Sequence, residues 1–459
     1  MLLSFDEVCA AVQGARVCDA RGARGFDGVS FDSRAVVPRD LFIPLRGVHV
    51  DGHTFIEEAL QKGAVATLID QRYPHAGEYV AWCTRFGAAC IAVHDTLRAL
   101  QDLASFYCKK FPALIRIGIT GSSGKTTVKE MARAVFSERY RVVATPGNLN
   151  SEIGLPQSLF FVRAEHEVGI FELGMNRRGE MRTLAQILVP HYAIITNVGC
   201  AHVGILGTQQ AIAEEKKEIF SQFTEHSVGF VPDDAYRVFL SNIPYGRVVV
   251  YDQGGRGLAT EVIDEGLRGS RVLYQGRWIR VPLPGVHNAK NALAVIALAA
   301  QVGLPAEEIQ RGMERVKPPF GRSHVVCASL TFLLDCYNAN PDSMAAALHL
   351  CARISAVSKV YVLGDMGELG VTAAEAHYRV CVLAAASDAR AVYVFGPEFC
   401  RAVRKVSWGR KRVYAFALEE LSALQETLDA QLRRGDFVLV KGSRSVALER
   451  LEPLLRKER

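Results

Sequence analysis

The segment Thr120-Gly121-Ser122-Ser123-Gly124-Lys125-Thr126-Thr127 has the residue types that a triphosphate needs, in an order that can hold one. The apolar run at residues 113–119 precedes it and reads as a buried strand. Val128, Met131, Ala132, Val135 and Phe136 follow at helical spacing, so a helix starts at the turn. The first N–H groups of a helix have no acceptor within it, and the helix dipole favours an anion there. Lys125 adds a point charge, and the Thr126 hydroxyl is placed to reach a magnesium ion. The position five before Gly124 is Ile119, so the spacing departs from the strict Walker pattern. An ordinary tight turn would not need the lysine. Residues 120–127 are therefore expected to bind phosphate, which leaves open what the phosphate is used for.

Other polar residues fall where predicted strands end, the edge at which open α/β sheets take ligands. Glu172 closes Val168–Glu172, Asn197 closes the strand at 192–197, and Asp335 closes Thr331–Asp335. One such residue is usually a turn former, but several beside a phosphate loop point to a shared site. Glu172 is the best candidate for a magnesium ligand with Thr126, since magnesium prefers oxygen. His202 is a less usual magnesium partner. The charged segment Ala213-Glu214-Glu215-Lys216-Lys217-Glu218-Ile219 reads, by itself, as a solvated helix face.

These residues need a framework, and 459 residues supply more than one core. The fold class is α/β in three regions. Residues 1–112 contain short strands, among them 40–45 and 64–69, and one helix at 55–62. Residues 113–317 alternate strands and helices, which predicts a mostly parallel sheet. Within them 259–284 reads as an antiparallel hairpin around Gly269 and Gly276, and 287–300 as an alanine-rich helix. Lys317-Pro318-Pro319 breaks the pattern. Residues 318–459 restart it as a doubly wound domain with strands at Thr331–Asp335, 360–363, Ala391–Phe395, 413–416 and 437–440.

Hydrophobic residues at 49% and charged residues at 22% describe an ordinary globular chain, and the net charge of +6 suits small anionic substrates. No basic block suggests a nucleic-acid arm; the run Arg456-Lys457-Glu458-Arg459 reads as a solvated tail. Eleven cysteines without a C-x-x-C pair argue against a zinc knuckle or disulfide framework and for a reducing, cytoplasmic setting. Asp6 and Glu7 come too early for a signal peptide, and no apolar run is long enough to span a membrane.

Residues 120–127, Glu172-Leu173-Gly174, Thr196-Asn197-Val198-Gly199 with Ala201-His202, and Leu283-Pro284-Gly285 with His287, Asn288 and Asn291 together resemble the Mur ligases. These are ATP-dependent amide ligases that build the peptide of bacterial cell-wall precursors. The resemblance runs over nearly the whole chain. Tyr337-Asn338-Ala339-Asn340-Pro341-Asp342-Ser343-Met344 and Gly364-Asp365-Met366-Gly367-Glu368-Leu369-Gly370 with His377 are similar to the members that add D-alanyl-D-alanine. So are Thr145-Pro146-Gly147-Asn148-Leu149-Asn150, Asn176 with Gly179-Glu180, and Lys441-Gly442-Ser443-Arg444. The D-N-P-R type segment of the amino-acid-adding members is absent. Two features depart from the family pattern: Leu334 and Cys336 flank a single Asp335, and Val231 stands where an asparagine is usual.

The resemblance implies a small UDP-precursor-binding α/β domain (1–112), a central P-loop ATP-binding domain (113–317) and a C-terminal Rossmann-like domain (318–459). It implies ligation of D-alanyl-D-alanine to UDP-N-acetylmuramoyl-tripeptide through an acyl phosphate. Lys125, Lys216, His202 and Glu172 are the implied catalytic set. Thr126, Glu172, His202 and a Lys216 carbamylated by CO2 would hold two magnesium ions. ATP would lie against residues 120–127, His287, Asn288, Asn291, Arg322 and Asp335. Ser33, Arg34, Arg46, Asp51 and Gly52 would take the uridine-diphosphate end, with Asn148 and Asn150 on the precursor. Tyr337, Asn338, Asn340, Pro341 and Ser343 would shape the dipeptide site. A cytoplasmic monomer with no nucleic-acid or membrane partner is expected. The competing readings are a nucleotide- or precursor-binding protein without ligase activity, and a ligase like folylpolyglutamate synthase.

Overall fold

The computed structural model describes residues 1–73, 75–252 and 261–457. Ala259 and Thr260 of the expected hairpin, and Glu458 and Arg459 of the basic tail, lie outside the described residues. The chain divides into two compact units: Met1–Gly118 with Arg141–Met175 and Glu180–Pro190, and Ile119–Tyr140 with Asn176–Gly179 and His191–Arg459. The strand Ile115–Thr120 carries the chain from the first into the second.

The first unit holds a five-stranded sheet in the order Ala15–Cys18, Ala89–Val93, Ala66–Asp70, Asp40–Phe42, Gly28–Ser30. All neighbours are parallel except the first pair. Every residue of Ala66–Asp70 and Ala89–Val93 is buried, as parallel strands covered on both faces must be. The expectation of a single helix is corrected here. Besides Ile56–Gln61 the unit has Phe5–Val12, Ala76–Phe86 and Thr96–Lys109. Their signals are local. Ser4 and Glu7 form a reciprocal cap, and Asp95 caps Thr96–Lys109 by accepting from the Arg98 N–H. Leu100, Leu103, Ala104 and Tyr107 then fall on one buried face. In the same unit Val142–Ala144 pairs parallel with Val168–Glu172.

In the second unit Tyr192–Ile195, Val228–Val231 and Arg247–Val250 run parallel. The expected hairpin is a three-stranded antiparallel sheet, Glu261–Asp264, Ser270–Tyr274 and Arg277–Val281. The helix Val286–Val302 is buried over most of its surface and stops at Gly303, in the left-handed conformation that glycine tolerates. A six-stranded sheet follows in the order His324–Cys327, Thr331–Asp335, Asp436–Lys441, Ser358–Gly364, Ala391–Phe395, Arg412–Phe416. Only its first, unexpected strand is antiparallel. Alternate residues feed two apolar clusters: Leu333, Tyr361, Leu363 and Leu439 in one, Phe332, Leu334, Val362 and Val440 in the other. Leu334 and Cys336, the departures from the family pattern, both lie in the second cluster, while Asp335 between them points elsewhere.

The phosphate-loop helix Lys125–Phe136 is held from behind by Ala306–Glu314. At Gly312 the helices touch backbone to backbone: a Cβ there would lie 2.4 Å from Val135 Cα and 2.8 Å from the Ala134 carbonyl oxygen. Gly312→Ala should therefore destabilise the chain by about 1–3 kcal/mol, read as a lower urea midpoint with unchanged slope.

Candidate active site

The phosphate loop is shaped by what leaves no room for a side chain. Gly121 has φ +153°, and a Cβ on it would lie 1.8 Å from Thr196 Oγ1. Gly124, with φ +81°, is the N-cap of Lys125–Phe136, and its Cβ would lie 2.8 Å from Asn291 Oδ1. Glycine alone fits both positions. Residues after the neighbouring strand then clamp the loop. The Ser122 N–H donates to the Asn197 carbonyl (3.1 Å), and the Ser123 N–H to Asn197 Oδ1 (3.1 Å). Asn197 Nδ2 donates back to the Ser123 carbonyl at 3.1 Å, and Thr196 Oγ1 donates to the same oxygen at 2.5 Å. Ser122 Oγ accepts the Gly199 N–H at 2.9 Å. Asn197 was signalled by its place at a strand end, and both it and Thr196 belong to the motif quoted for the resemblance, but neither was in the expected site. Lys125 Nζ folds back to the Gly121 carbonyl at 2.7 Å.

Beside this loop stands a buried lysine. Lys216 is 1% exposed, on the helix Gln209–Lys217. The solvated-face reading of that helix fails for its inner side, where Glu215 is buried as well. Glu215 accepts the Gly179 N–H at 2.9 Å. Burial first, and then the nearby charge of Lys125, push the Lys216 ammonium well below its ordinary pKa; Glu215 opposes this. Burial thus favours the uncharged amine over the ammonium at this position. His202 places Nδ1 2.9 Å from Glu368 Oε2. That contact first, and the field of Lys125 among the rest, hold the Glu368 carboxyl below the usual range. Glu368 was part of a quoted motif but not of the expected site.

A second chain of contacts gathers the residues expected at the nucleotide. Asn291 Nδ2 donates to Asn288 Oδ1 (3.3 Å), and Asn288 Nδ2 to the Pro284 carbonyl (2.8 Å) and Ser323 Oγ (3.3 Å). The Ser323 N–H donates to Asp335 Oδ1 at 3.3 Å, and Lys441 Nζ meets Asp335 Oδ2 at 2.5 Å. Burial opposes the charge on Asp335, but Lys441 outweighs it and holds the carboxyl below its ordinary pKa. His287 lies at the surface. The Arg322 guanidinium sits over the Tyr337 ring at 4.3 Å. Asn340 and Ser343 cap the helix Pro341–Arg353 reciprocally, with Pro341 in its first turn, and Asn338 Oδ1 accepts the Ala339 N–H. Asp342, absent from the expected set, accepts the Cys200 N–H at 2.8 Å.

In the first unit, Glu172 is 2% exposed, takes the Asn150 amide at 2.7 Å and donates its own N–H to Thr145 Oγ1. Asn148 is exposed, and its carbonyl accepts the Asn150 N–H. Arg46 reaches Asp51 (3.4 Å) and Asp70 (3.7 Å) and covers the Tyr73 ring at 5.1 Å. His53 is fully buried beneath it, with Nδ1 2.7 Å from Asp51 and Nε2 accepting the Asp70 N–H. Gly52 is required where a Cβ would meet Leu45 N at 2.7 Å. Asp70 and Tyr73 complete this cluster and carried no motif. Ser33 donates to Glu58 at 2.8 Å, and exposed Arg34 pairs with Asp32. Among the described residues no three His, Cys, Asp or Glu side chains form a group that could hold a metal ion, and no helix is long and apolar enough to cross a membrane.

Family models match three stretches: "Mur ligase family, catalytic domain" at residues 26–107, "Mur ligase middle domain" at 119–299, and "Mur ligase, glutamate ligase domain" at 321–444. The chain is 99% identical over its whole length, and that of the relative, to the UDP-N-acetylmuramoyl-tripeptide--D-alanyl-D-alanine ligase of Treponema pallidum (strain Nichols). A crystal structure of MurF from Acinetobacter baumannii superposes with a TM-score of 0.88 at 28% identity, covering 99% of both chains. MurF ligase from Thermotoga maritima in complex with ADP matches with a TM-score of 0.80 at 25% identity, over 94% of this chain and 97% of that one.

The Asp335–Lys441 pair yields a prediction about pH. A carboxyl lowered on folding stabilises fully above its unfolded pKa, and the contribution is lost as pH falls through the folded value. Asp335→Asn leaves Lys441 buried without a counter-charge and should cost about 3–5 kcal/mol near neutral pH. Urea midpoints followed from about pH 7 to about pH 3 should show the variant closing on the wild type as acid removes the pair.

Proposed function

The chain belongs to the Mur ligase family, and from that premise we infer that it joins D-alanyl-D-alanine to UDP-N-acetylmuramoyl-tripeptide, using ATP. The observation that carries this is the 99% identity, end to end, with a ligase of that name. It also weighs against the two competing readings. The division into domains at 112/113 and 317/318 belongs to this proposal, as do the monomeric state and the cytoplasmic setting. Eleven free cysteines fit a reducing compartment.

A carboxylate is a poor electrophile, so it must be activated. The terminal carboxylate of the tripeptide takes the γ-phosphoryl of ATP, giving an acyl phosphate and ADP. The amine of the dipeptide attacks the acyl carbon, and the tetrahedral adduct collapses with loss of phosphate and a proton. Two anions must approach one another in the first step. Lys125 would exchange its contact with the Gly121 carbonyl for phosphate oxygens, and N–H groups at the start of the helix Lys125–Phe136 would hold the remaining oxygens. Asn288, Asn291 and Asp335 would position the nucleoside, with Arg322 at its phosphates. Arg46 and Asp51 would receive the uridine-diphosphate end of the precursor.

The donors fit magnesium, a hard ion that keeps waters and takes phosphate oxygens. The Thr126 hydroxyl, the Glu172 carboxylate, His202 and a carbamate on Lys216 would hold two ions. When bound, they would neutralise the charge that accumulates on the phosphate oxygens. Lys216 is suited to carbamylation because its burial disfavours the ammonium: in the amine form its lone pair forms the N–C bond to CO2, an electron pair moves to oxygen, and the amine releases a proton. The product puts an anion where a buried amine stood, within the field of Lys125.

Lys125→Ala should reduce ligation by a factor of about 100 to 1000, with an unchanged urea midpoint; retained turnover would remove Lys125 from the mechanism. For Lys216, 13C-labelled CO2 should give a carbamate carbonyl resonance that disappears in Lys216→Met. A spectrum without that signal would leave the second ion without its proposed ligand.

A further inference from the structure

Residues 199–204, within the middle-domain match, meet Asp342 and residues 368–370, within the ligase-domain match, almost without side chains. A Cβ on Gly204 would lie 2.6 Å from Gly370 N, 2.7 Å from Leu369 C and 2.9 Å from the Glu368 carbonyl oxygen, all backbone atoms. The contact is reciprocal, since a Cβ on Gly370 would lie 2.9 Å from Gly204 Cα. At the other end, a Cβ on Gly199 would lie 2.4 Å from Asp342 Oδ2, the oxygen that accepts the Cys200 N–H. Val203, between the two, packs on the apolar cluster of the six-stranded sheet.

Two residues at this junction have left-handed backbone without being glycine: His202 at φ +65° and Glu368 at φ +62°. That conformation is unfavourable for a side chain with a Cβ, and it persists where the surroundings over-determine it. Here it brings the imidazole of one side and the carboxylate of the other to 2.9 Å. Away from the loop, Arg353 pairs with Asp264 at 2.8 Å, and Leu267 packs on the same cluster.

Backbone against backbone fits at one separation only, because no side chain can adjust. We propose that the Gly204–Gly370 contact, with Asp342 on Cys200 and Glu368 on His202, is the stop that sets the closed position of the ligase domain on the nucleotide-binding domain. Glu368 is then a positioning residue. Seating at this stop keeps water from the acyl phosphate until the amine arrives. The inference rests on the ligase reading above.

The test is Gly204→Ala, whose backbone accepts alanine while its Cβ holds the seam apart. Ile205→Ala, exposed on the same short helix, is the control. In Gly204→Ala, amide formation should fall by about a hundredfold. Phosphate release should fall less, so the phosphate-to-amide ratio rises above the wild-type value of one. A purely structural defect would lower both together and leave the ratio at one. Small-angle scattering with a non-hydrolysable ATP analogue should show compaction in the wild type and in Ile205→Ala but not in Gly204→Ala. Glu368→Gln adds no bulk and should also raise the ratio; it decides the matter if Gly204→Ala does not fold. A wild-type chain that forms no amide overturns the ligase reading, and the scattering then judges the seam alone. A wild type that ligates, with both variants compacting normally at a ratio of one, overturns the seam.

Discussion

The closest constraint in the candidate nucleotide site is the passage of the Gly121 backbone against the Thr196 side chain, where even a methyl group has no space. Thr196 follows the strand Tyr192–Ile195, so the loop's path is fixed by a sheet rather than by its own sequence. Asn197 extends the same hold to Ser122 and Ser123. The path of the loop is therefore set by protein contacts, with the Ser122 and Ser123 N–H groups committed to Asn197 and the start of the helix Lys125–Phe136 left to face an anion. The helix behind it, the buried lysine beside it and the asparagines above Gly124 all take their bearings from that hold.

The electrostatics follow from burial. Burial first, and then the charge of Lys125, disfavour a positive charge on Lys216. The same helix position that reads as solvated in the sequence is thus one where the structure disfavours a positive charge. The carboxylates near them are not loose. Glu215 is tied to Gly179 and Glu368 to His202, so each negative charge already has a geometry.

The parallel sheets were legible in the sequence because buried strands are short apolar runs; Thr331–Asp335 and Ala391–Phe395 were read to the residue. The helices Ala76–Phe86 and Thr96–Lys109 were missed, the second although Asp95 is a good cap and Leu100, Leu103, Ala104 and Tyr107 keep a helical period. His324–Cys327 was missed because an edge strand with few fully buried side chains carries little pattern. At the site, Lys125 and the loop glycines announce themselves by spacing. Glu215, Lys216 and Glu368 do not, since a charged helix or loop reads as solvated until something covers it. Asp342 was masked by its neighbours Asn340 and Ser343, whose cap explains the motif without it.

The two compact units are not consecutive lengths of chain. The polypeptide passes from the first to the second within one strand, returns at Arg141, leaves after Met175, and comes back for Glu180–Pro190. A ribosome making this protein therefore delivers the phosphate-loop helix before the first unit has received its last segment. Neither unit can be completed in order, and contacts distant in sequence must form late. A fragment ending at Gly118 would lack Val142–Ala144 and Val168–Glu172, and with them the carboxylate of Glu172. Gene fusions, truncations and split versions of this chain are thus constrained by its threading as much as by its chemistry.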